Sequence, residues 1–427
     1  MPGFIKRPLY RLLRWSERYT KADMVYIASS NFWLNISRVI SIGSGILLTI
    51  TFTRLLTPEQ FGTYKYVIAA AGFVGTFALN GLNSSVMRAV AQGKFNVIPA
   101  AVRSGALWSI PASLAALGIS AWYFYNGNSE LGFAFLFIGV TNSLSNGIGV
   151  TKSVWGAARQ YKMGTLVGIP KIFVPFLIIL FTIIVTQNVT WILFAYFFSN
   201  ILFSILGYFF MKWYFTVKAS RDGVAETLTY GKQMTALGFF QIASGQIDQL
   251  LLWHFTTPAV LATYALAITP VNEAKNLIIN FSGIMFPKLA AKTEKEIHDT
   301  LPLRIRQTFI ASLVLTLMYI AIVPILFTYV FPKYLASIVV SQILSITILF
   351  QFSTVIDAYL VAHGEIKKRA TIIFMTQFVE FALLFICIPF FGLWGAVAAG
   401  VLSEFGGAMI FLYMYFSVRR KFRTSQV

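Results

Sequence analysis

A few charged and polar side chains stand inside long apolar stretches, and these are the groups with chemistry to offer. Arg38 lies about ten residues into the first such stretch, and Asn31, Asn35 and Arg38 share one helical face through spacings of four and three. Gln241, Ser244 and Asp248 make a similar stripe. So do Thr269, Asn272, Glu273, Asn276 and Asn280, with Lys275 near the edge, and Lys65 sits near the start of another apolar run. An ionisable group surrounded by hydrocarbon is costly, and it normally faces a cavity or an opposite charge. Two chemistries suit the set. Arg38, Lys65 and Lys275, with Asn31 and Asn35 beside the first, can bind an anion, because low dielectric strengthens the attraction. Asp248 and Glu273 can exchange a coupling proton or sodium ion. The alternative is pairing inside the membrane, Asp248 with Lys275 or Glu273 with Arg38. For Lys65 a further alternative is snorkelling to the interface.

Other reactive residue types form no recognisable catalytic set. His254, His298 and His363 lie far apart and make no metal-binding motif. His363 and Glu365 have no nucleophile or metal ligand beside them in sequence, so acid–base catalysis is not expected. Cys387 is the single cysteine and lies in an apolar stretch, which suits a small buried hydrophobe. Asp357, near the end of a run, suits a structural role, while Glu380 and Glu404 suit a second polar cluster. No cofactor is expected beyond a coupling ion.

The elements that must position these groups follow from hydropathy. Hydrophobic residues make up 57% of the 427 and charged residues 11%, against roughly 25% charged in soluble domains. Apolar runs fall at 27–53, 61–86, 103–125, 131–155, 166–186, 190–212, 233–255, 260–287, 308–330, 336–362, 369–390 and 393–417. Each is long enough to cross the hydrocarbon as a helix, the form that satisfies its own backbone in lipid. The chain therefore reads as an all-α polytopic membrane protein with 12 transmembrane helices.

The net charge of +19 is mainly a topological signal. Of the 34 lysines and arginines, 29 fall in the N-terminal segment, the even-numbered connections and the tail. The odd-numbered connections hold Arg54 and Lys333 and are short, as in Asn126-Gly127-Asn128-Ser129. The positive side faces the cytoplasm, so both termini are expected there. No single loop has the length or the aromatic–basic interleaving of a nucleic-acid module. The stretch from Phe4 to Lys21 mixes apolar residues with six cations and suits a helix lying in the cytoplasmic interface.

The chain also repeats itself at an offset of 200 residues. Thr57-Pro58 matches Thr257-Pro258, Thr63-Tyr64 matches Thr263-Tyr264, Ser44-Gly45 matches Ser244-Gly245, and Asn80 matches Asn280. Six helices separate the copies, and an even number keeps the orientation, so the repeat is parallel. The expected organisation is a basic interfacial segment (1–26), a first lobe (27–212), a cytoplasmic linker (213–232), a second lobe (233–417) and a basic tail (418–427). Two six-helix lobes around a central cavity imply alternating access.

The run Arg54-Leu55-Leu56-Thr57-Pro58-Glu59-Gln60-Phe61-Gly62-Thr63-Tyr64 resembles the first loop of the Wzx-like polysaccharide flippases. These O-antigen repeat-unit exporters belong to the multidrug/oligosaccharidyl-lipid/polysaccharide (MOP) superfamily. Gly81-Leu82, Val86-Met87-Arg88, Gln246-Ile247-Asp248 and Gly392-Leu393-Trp394-Gly395-Ala396 extend the similarity over nearly the whole chain. Gln249 departs from it, since an arginine often follows the aspartate there, and Glu380 and Glu404 are more acidic than the usual pattern. The resemblance implies a MATE/MOP-like fold with the polar stripes lining the cavity. It implies export of a polyprenyl-pyrophosphate-linked oligosaccharide across the bacterial inner membrane, without covalent chemistry. The anion for Arg38, Lys65 and Lys275 would then be the pyrophosphate. Partners would be the lipid-linked glycan, membrane lipids and glycan polymerase or assembly proteins, with the chain acting as a monomer.

Two other functions are weighed against this one. A multidrug or small-solute exporter could use the same fold or the major-facilitator fold, but Arg88 to Arg103 lacks the Gly–Asp–Arg–Gly–Arg pattern of the latter. A membrane-bound glycan polymerase or ligase usually brings a large outward loop with catalytic residues. No outward connection in this chain exceeds about ten residues.

Overall fold

The computed structural model describes residues 24–218, 220, 222–290, 294–362 and 366–424. The basic stretch from Phe4 to Lys21 and the triplet His363-Gly364-Glu365 lie outside these residues. The described residues form helices and no strand. The first six membrane helices are α1 (Met24–Leu55), α2 (Pro58–Thr76) continued by α3 (Leu82–Ala91), α4 (Ile98–Trp108) continued by α5 (Ile110–Tyr125), α6 (Ser129–Gly149), α8 (Tyr161–Thr186) and α9 (Val189–Tyr214). A short α7 (Val154–Ala157) precedes α8. The next six are α10 (Val224–Phe255), α11 (Pro258–Ala290), α12 (Glu294–Val330), α13 (Ser337–Ser345) joined by a 3₁₀ segment to α14 (Ser353–Ala362), and the two halves of α15 (Ile366–Thr424).

The breaks have local causes. The apolar run 61–86 is a helix interrupted at 77–81, where the chain turns at Asn80 and Gly81. The run 103–125 is interrupted at Ser109, and Pro111 sits in the first turn of α5, where its missing N–H costs nothing. In α15 the chain reverses at Gly392, whose φ of 55° is a left-handed conformation open to glycine. The second half of the expected linker 213–232 is already helix, since α10 begins at Val224.

The helix ends carry the repeat. α1 and α10 end at 55 and 255, and α2 and α11 begin at 58 and 258. Both second members start on the same device. The Thr57 N–H donates to Gln60 Oε1 at 3.0 Å and the Gln60 N–H donates to Thr57 Oγ1 at 3.3 Å, a reciprocal cap. The Val260 N–H donates to Thr257 Oγ1 at 3.4 Å. A proline follows each threonine, pre-set for the first helical position.

Contacts divide the chain into two compact units. The first comprises Met1–Leu55 and Phe77–Ala236, the second Leu56–Thr76 and Leu237–Val427. Within the second unit, α2 packs along α11. Gly62 allows this, because a Cβ there would overlap the Pro258 carbonyl oxygen. Tyr66 stacks on Trp253 at 4.3 Å, and Phe61 meets Tyr334 edge-on at 6.1 Å. Within the first unit, Gly81 lies against the backbone of α10 at Gly231 and Thr235, and its N–H donates to Thr235 Oγ1 at 3.0 Å. Its apolar core holds Leu82, Val86, Ile98, Val150, Val154 and Met211. Large apolar side chains such as Phe181, Phe209, Leu317 and Ile325 stay exposed, as expected where the surrounding solvent is lipid.

By length and composition, eight stretches of the described residues are apolar enough to cross a membrane, and the last, Arg369–Ser417, is long enough for two helices. The second, seventh and eighth membrane helices fall short. Those three carry Lys65, Asp248, Glu273 and Lys275.

Candidate functional site

The second unit gathers carboxylates. Asp248, on α10, is buried; its carboxylate accepts from the Tyr264 hydroxyl at 2.8 Å and from the Gln249 N–H at 2.7 Å. Four residues earlier on the same face, the Ser244 hydroxyl donates to the Gln377 side chain on α15. Glu380 is one turn beyond Gln377 and is close enough to feel Asp248, Glu404 and Lys275 electrostatically. Lys275 on α11 donates to Glu404 Oε1 at 2.8 Å, a partly buried ion pair. Arg369 clamps Asp357 through two bonds, Nε to Oδ1 at 2.6 Å and Nη2 to Oδ2 at 3.1 Å. A cavity of about 230 Å³ opens among Gln241, Asp357, Arg369, Gln377, Glu380 and Glu404. Its surroundings hold four carboxylates with Asp248 and two cations, so it is net acidic. Such a group can bind a small cation or hold a proton, because removing one positive charge leaves neighbouring carboxylates uncompensated.

The first unit holds the opposite chemistry. A larger cavity of about 500 Å³ lies between α1, α8 and α9 and the turn before α7. Its walls are mostly apolar, with Leu48, Val167, Ile172, Phe176 and Ile179, and its charged groups are Lys152 and Lys171. Tyr196, Asn200, Ser204 and Tyr208 add polar atoms from α9, and Ser41 and Ser44 add them from α1. α1 is fixed to α8 nearby, where the Thr165 hydroxyl donates to the Trp33 carbonyl at 3.0 Å and Lys162 lies over the Trp33 ring at 5.9 Å.

The sequence-predicted residues therefore fall in different places. Asp248 joins the acidic group. Glu273 is exposed on α11 and takes part in no ion pair with the described residues. Lys275 pairs with Glu404, so the expected alternative of an Asp248–Lys275 pair is replaced by a different one, and Asp248 is held by a tyrosine instead. Lys65 is half-buried, with its ammonium over the Phe61 ring at 5.3 Å. Arg38 is exposed on α1 and makes no ion pair with Glu273. Asn35 donates its amide to the Asn31 carbonyl at 2.8 Å, so that part of the stripe is tied to its own helix. Sequence reasoning missed Lys152 and Lys171, because both were counted as cytoplasmic loop charges. The signal was available for Lys171, which lies inside the apolar run 166–186 and ten residues into α8.

The family model of polysaccharide biosynthesis proteins matches residues 51–301, more than half of the chain. No curated protein sequence matches. Among solved structures, the lipid II flippase MurJ in an inward closed conformation is similar at TM-score 0.70 and 11% identity, over 91% of this chain and 87% of that one. An outward-facing multidrug resistance MATE family transporter of the MOP superfamily is similar at TM-score 0.60 and 15% identity, over 92% and 96%. A MOP superfamily transporter from Pyrococcus furiosus, described as having a binding pocket of reverse polarity, is similar at TM-score 0.57 and 16% identity, over 92% and 96%. Helix count, the 200-residue repeat and these likenesses agree on the fold, and the family match agrees with the run from Arg54 to Tyr64. The chain belongs to the polysaccharide biosynthesis protein family and has the fold seen in the MATE and MurJ transporters.

Proposed function

We propose that this protein moves a polyprenyl-pyrophosphate-linked oligosaccharide from the cytoplasmic to the outer leaflet of a bacterial inner membrane, by alternating access and driven by a cation gradient. The observation that carries the reading is the family match on 51–301, which spans Lys65, Asp248, Glu273 and Lys275. Arg38 contributes to holding the pyrophosphate, since it is a cation inside an apolar stretch with no carboxylate bound to it among the described residues. Asp248 with Glu380 is the favoured coupling pair, because both belong to the acidic group and Glu273 does not. Both termini are cytoplasmic, the chain acts as a monomer, and glycan polymerase or assembly proteins receive its product.

The test is deletion, followed by assay of lipid-linked sugar in each leaflet. Accumulation in the cytoplasmic leaflet with loss of surface glycan is the expected result. The shared MATE fold supplies the second reading, a multidrug or small-solute exporter. Altered drug tolerance on deletion, with surface glycan intact, would establish that reading instead.

A further inference from the structure

The acidic group of the second unit already holds a cation of the chain's own. Lys275 rises from α11 with its side chain 16% exposed and places Nζ 2.8 Å from Glu404 Oε1, on the second half of α15. Glu380, on the first half of α15, feels Lys275, Glu404 and Asp248 together. The remaining charged groups are spent elsewhere. Arg369 gives two bonds to Asp357 on α14. Asp248 on α10 is held by the Tyr264 hydroxyl and the Gln249 N–H, and it does not line the cavity. Glu273 is exposed on α11 and makes no ion pair with the described residues.

The ammonium reaches its carboxylates from within the protein. Glu380 and Glu404 line the cavity of about 230 Å³, and Lys275 does not. The same walls present neutral oxygen from Gln241, Ser353, Thr354 and Ser403. Two carboxylates among hydroxyl and amide oxygens are the donors that a hard cation takes. A metal ion entering from the cavity would stand close to a fixed ammonium, and like charges repel strongly where the dielectric is low. It would also find Glu404 already neutralised. The lysine is covalently attached, so its charge is never diluted, and a free ion competes against a high effective concentration.

We propose that Lys275 is a tethered cation that satisfies Glu380 and Glu404 and so closes this cavity to sodium. Lys275 is then a specificity-determining residue, and removing its charge turns the cavity into a sodium site. The inference deepens the reading of a cation-driven flippase and rests on it for its bearing on transport, because it removes sodium from the gradients that could drive the cycle.

The purified full-length protein is unfolded by heat in detergent, in sodium chloride, potassium chloride or choline chloride at equal ionic strength. The wild-type unfolding temperature is expected to be the same in all three. Lys275→Met keeps most of the apolar stem without the charge. It should unfold at a lower temperature in choline chloride and rise saturably with sodium, by about 3 °C or more, as binding to the folded state requires. The double variant Lys275→Met with Glu404→Gln, which removes both partners, should lose the sodium response. If Lys275→Met is too unstable to purify in choline chloride, the yield of monodisperse protein extracted in each salt is the readout. More protein in sodium supports the proposal, and equal loss in all salts overturns it. Saturable stabilisation of the wild type by sodium, or a folded Lys275→Met that ignores sodium, overturns it as well. Binding is read on the isolated protein, so glycan export that survives deletion would count against the flippase reading and leave the role of Lys275 standing.

Discussion

At the residue scale, partnership in space decides which charges are free to act. Lys275 is committed to Glu404, so neutralising either leaves its partner uncompensated in a partly buried setting. Lys275→Gln and Glu404→Gln should each lower the amount of folded protein, and the reversed pair Lys275→Glu with Glu404→Lys should restore much of it, as read by fluorescence-detected gel filtration. Arg38 has no such partner among the described residues. Arg38→Gln should leave protein level unchanged and abolish surface glycan; glycan persisting at normal protein level would remove Arg38 from the site. The sequence showed that these residues were unusual, because a charge in an apolar run is visible by inspection. It could not show that Lys275 and Glu404 meet, since 129 residues separate them. It also hid Lys171, because a lysine near the end of a run is counted with its loop.

At the element scale, what could be read was local. Thr57-Pro58 and Thr257-Pro258 mark helix starts by cap and fixed φ, and both helices start there. The two caps are unequal in strength. Gln60 returns a bond to the Thr57 N–H, whereas Val260 has no side chain to do so. Thr57→Ala should therefore cost about 1 kcal/mol, with Thr257→Ala costing less, measured as a difference in thermal inactivation of the purified protein. Gly62 is the more severe case. Any side chain there meets the Pro258 carbonyl, so Gly62→Leu should prevent the starts of α2 and α11 from packing and leave little monodisperse protein. The interruption at 77–81 was not foreseen. Hydropathy averages over a turn made by Asn80 and Gly81, and the glycine's close fit against Gly231 and Thr235 is a tertiary fact.

At the scale of the whole molecule, loop charge supplied a direction that the fold does not record. Alkaline phosphatase fused after Gly127 should be active, and a green fluorescent protein fused to the C-terminus should glow. The reverse pair of results would invert the assigned orientation. Transport in vesicles should depend on a proton or sodium gradient and should be lost in Asp248→Asn at unchanged protein level. Transport indifferent to both gradients would remove the coupling role. Fold class was largely legible, since apolar length and the parallel repeat both survive averaging. The separation of chemistry was not, because it depends on which helices enclose each cavity: one lined by lysines in the first unit, one ringed by carboxylates in the second.

The matching helix ends have one more implication. The ends of α1 and α10 and the starts of α2 and α11 agree to the residue across 200 positions, so no net insertion or deletion separates the two helix pairs around that turn. Residues flanking that turn in one pair can thus be compared with counterparts at an offset of 200 in the other. Ser44 and Ser244 have stayed the same, Leu48 stands opposite Asp248, and Lys65 stands opposite Ala265. The acid stands on one copy only, and the lysine on the other. Division of labour between the copies is written in single substitutions on a shared frame, so placing an aspartate at position 48 asks whether one copy can still take up the trade of the other.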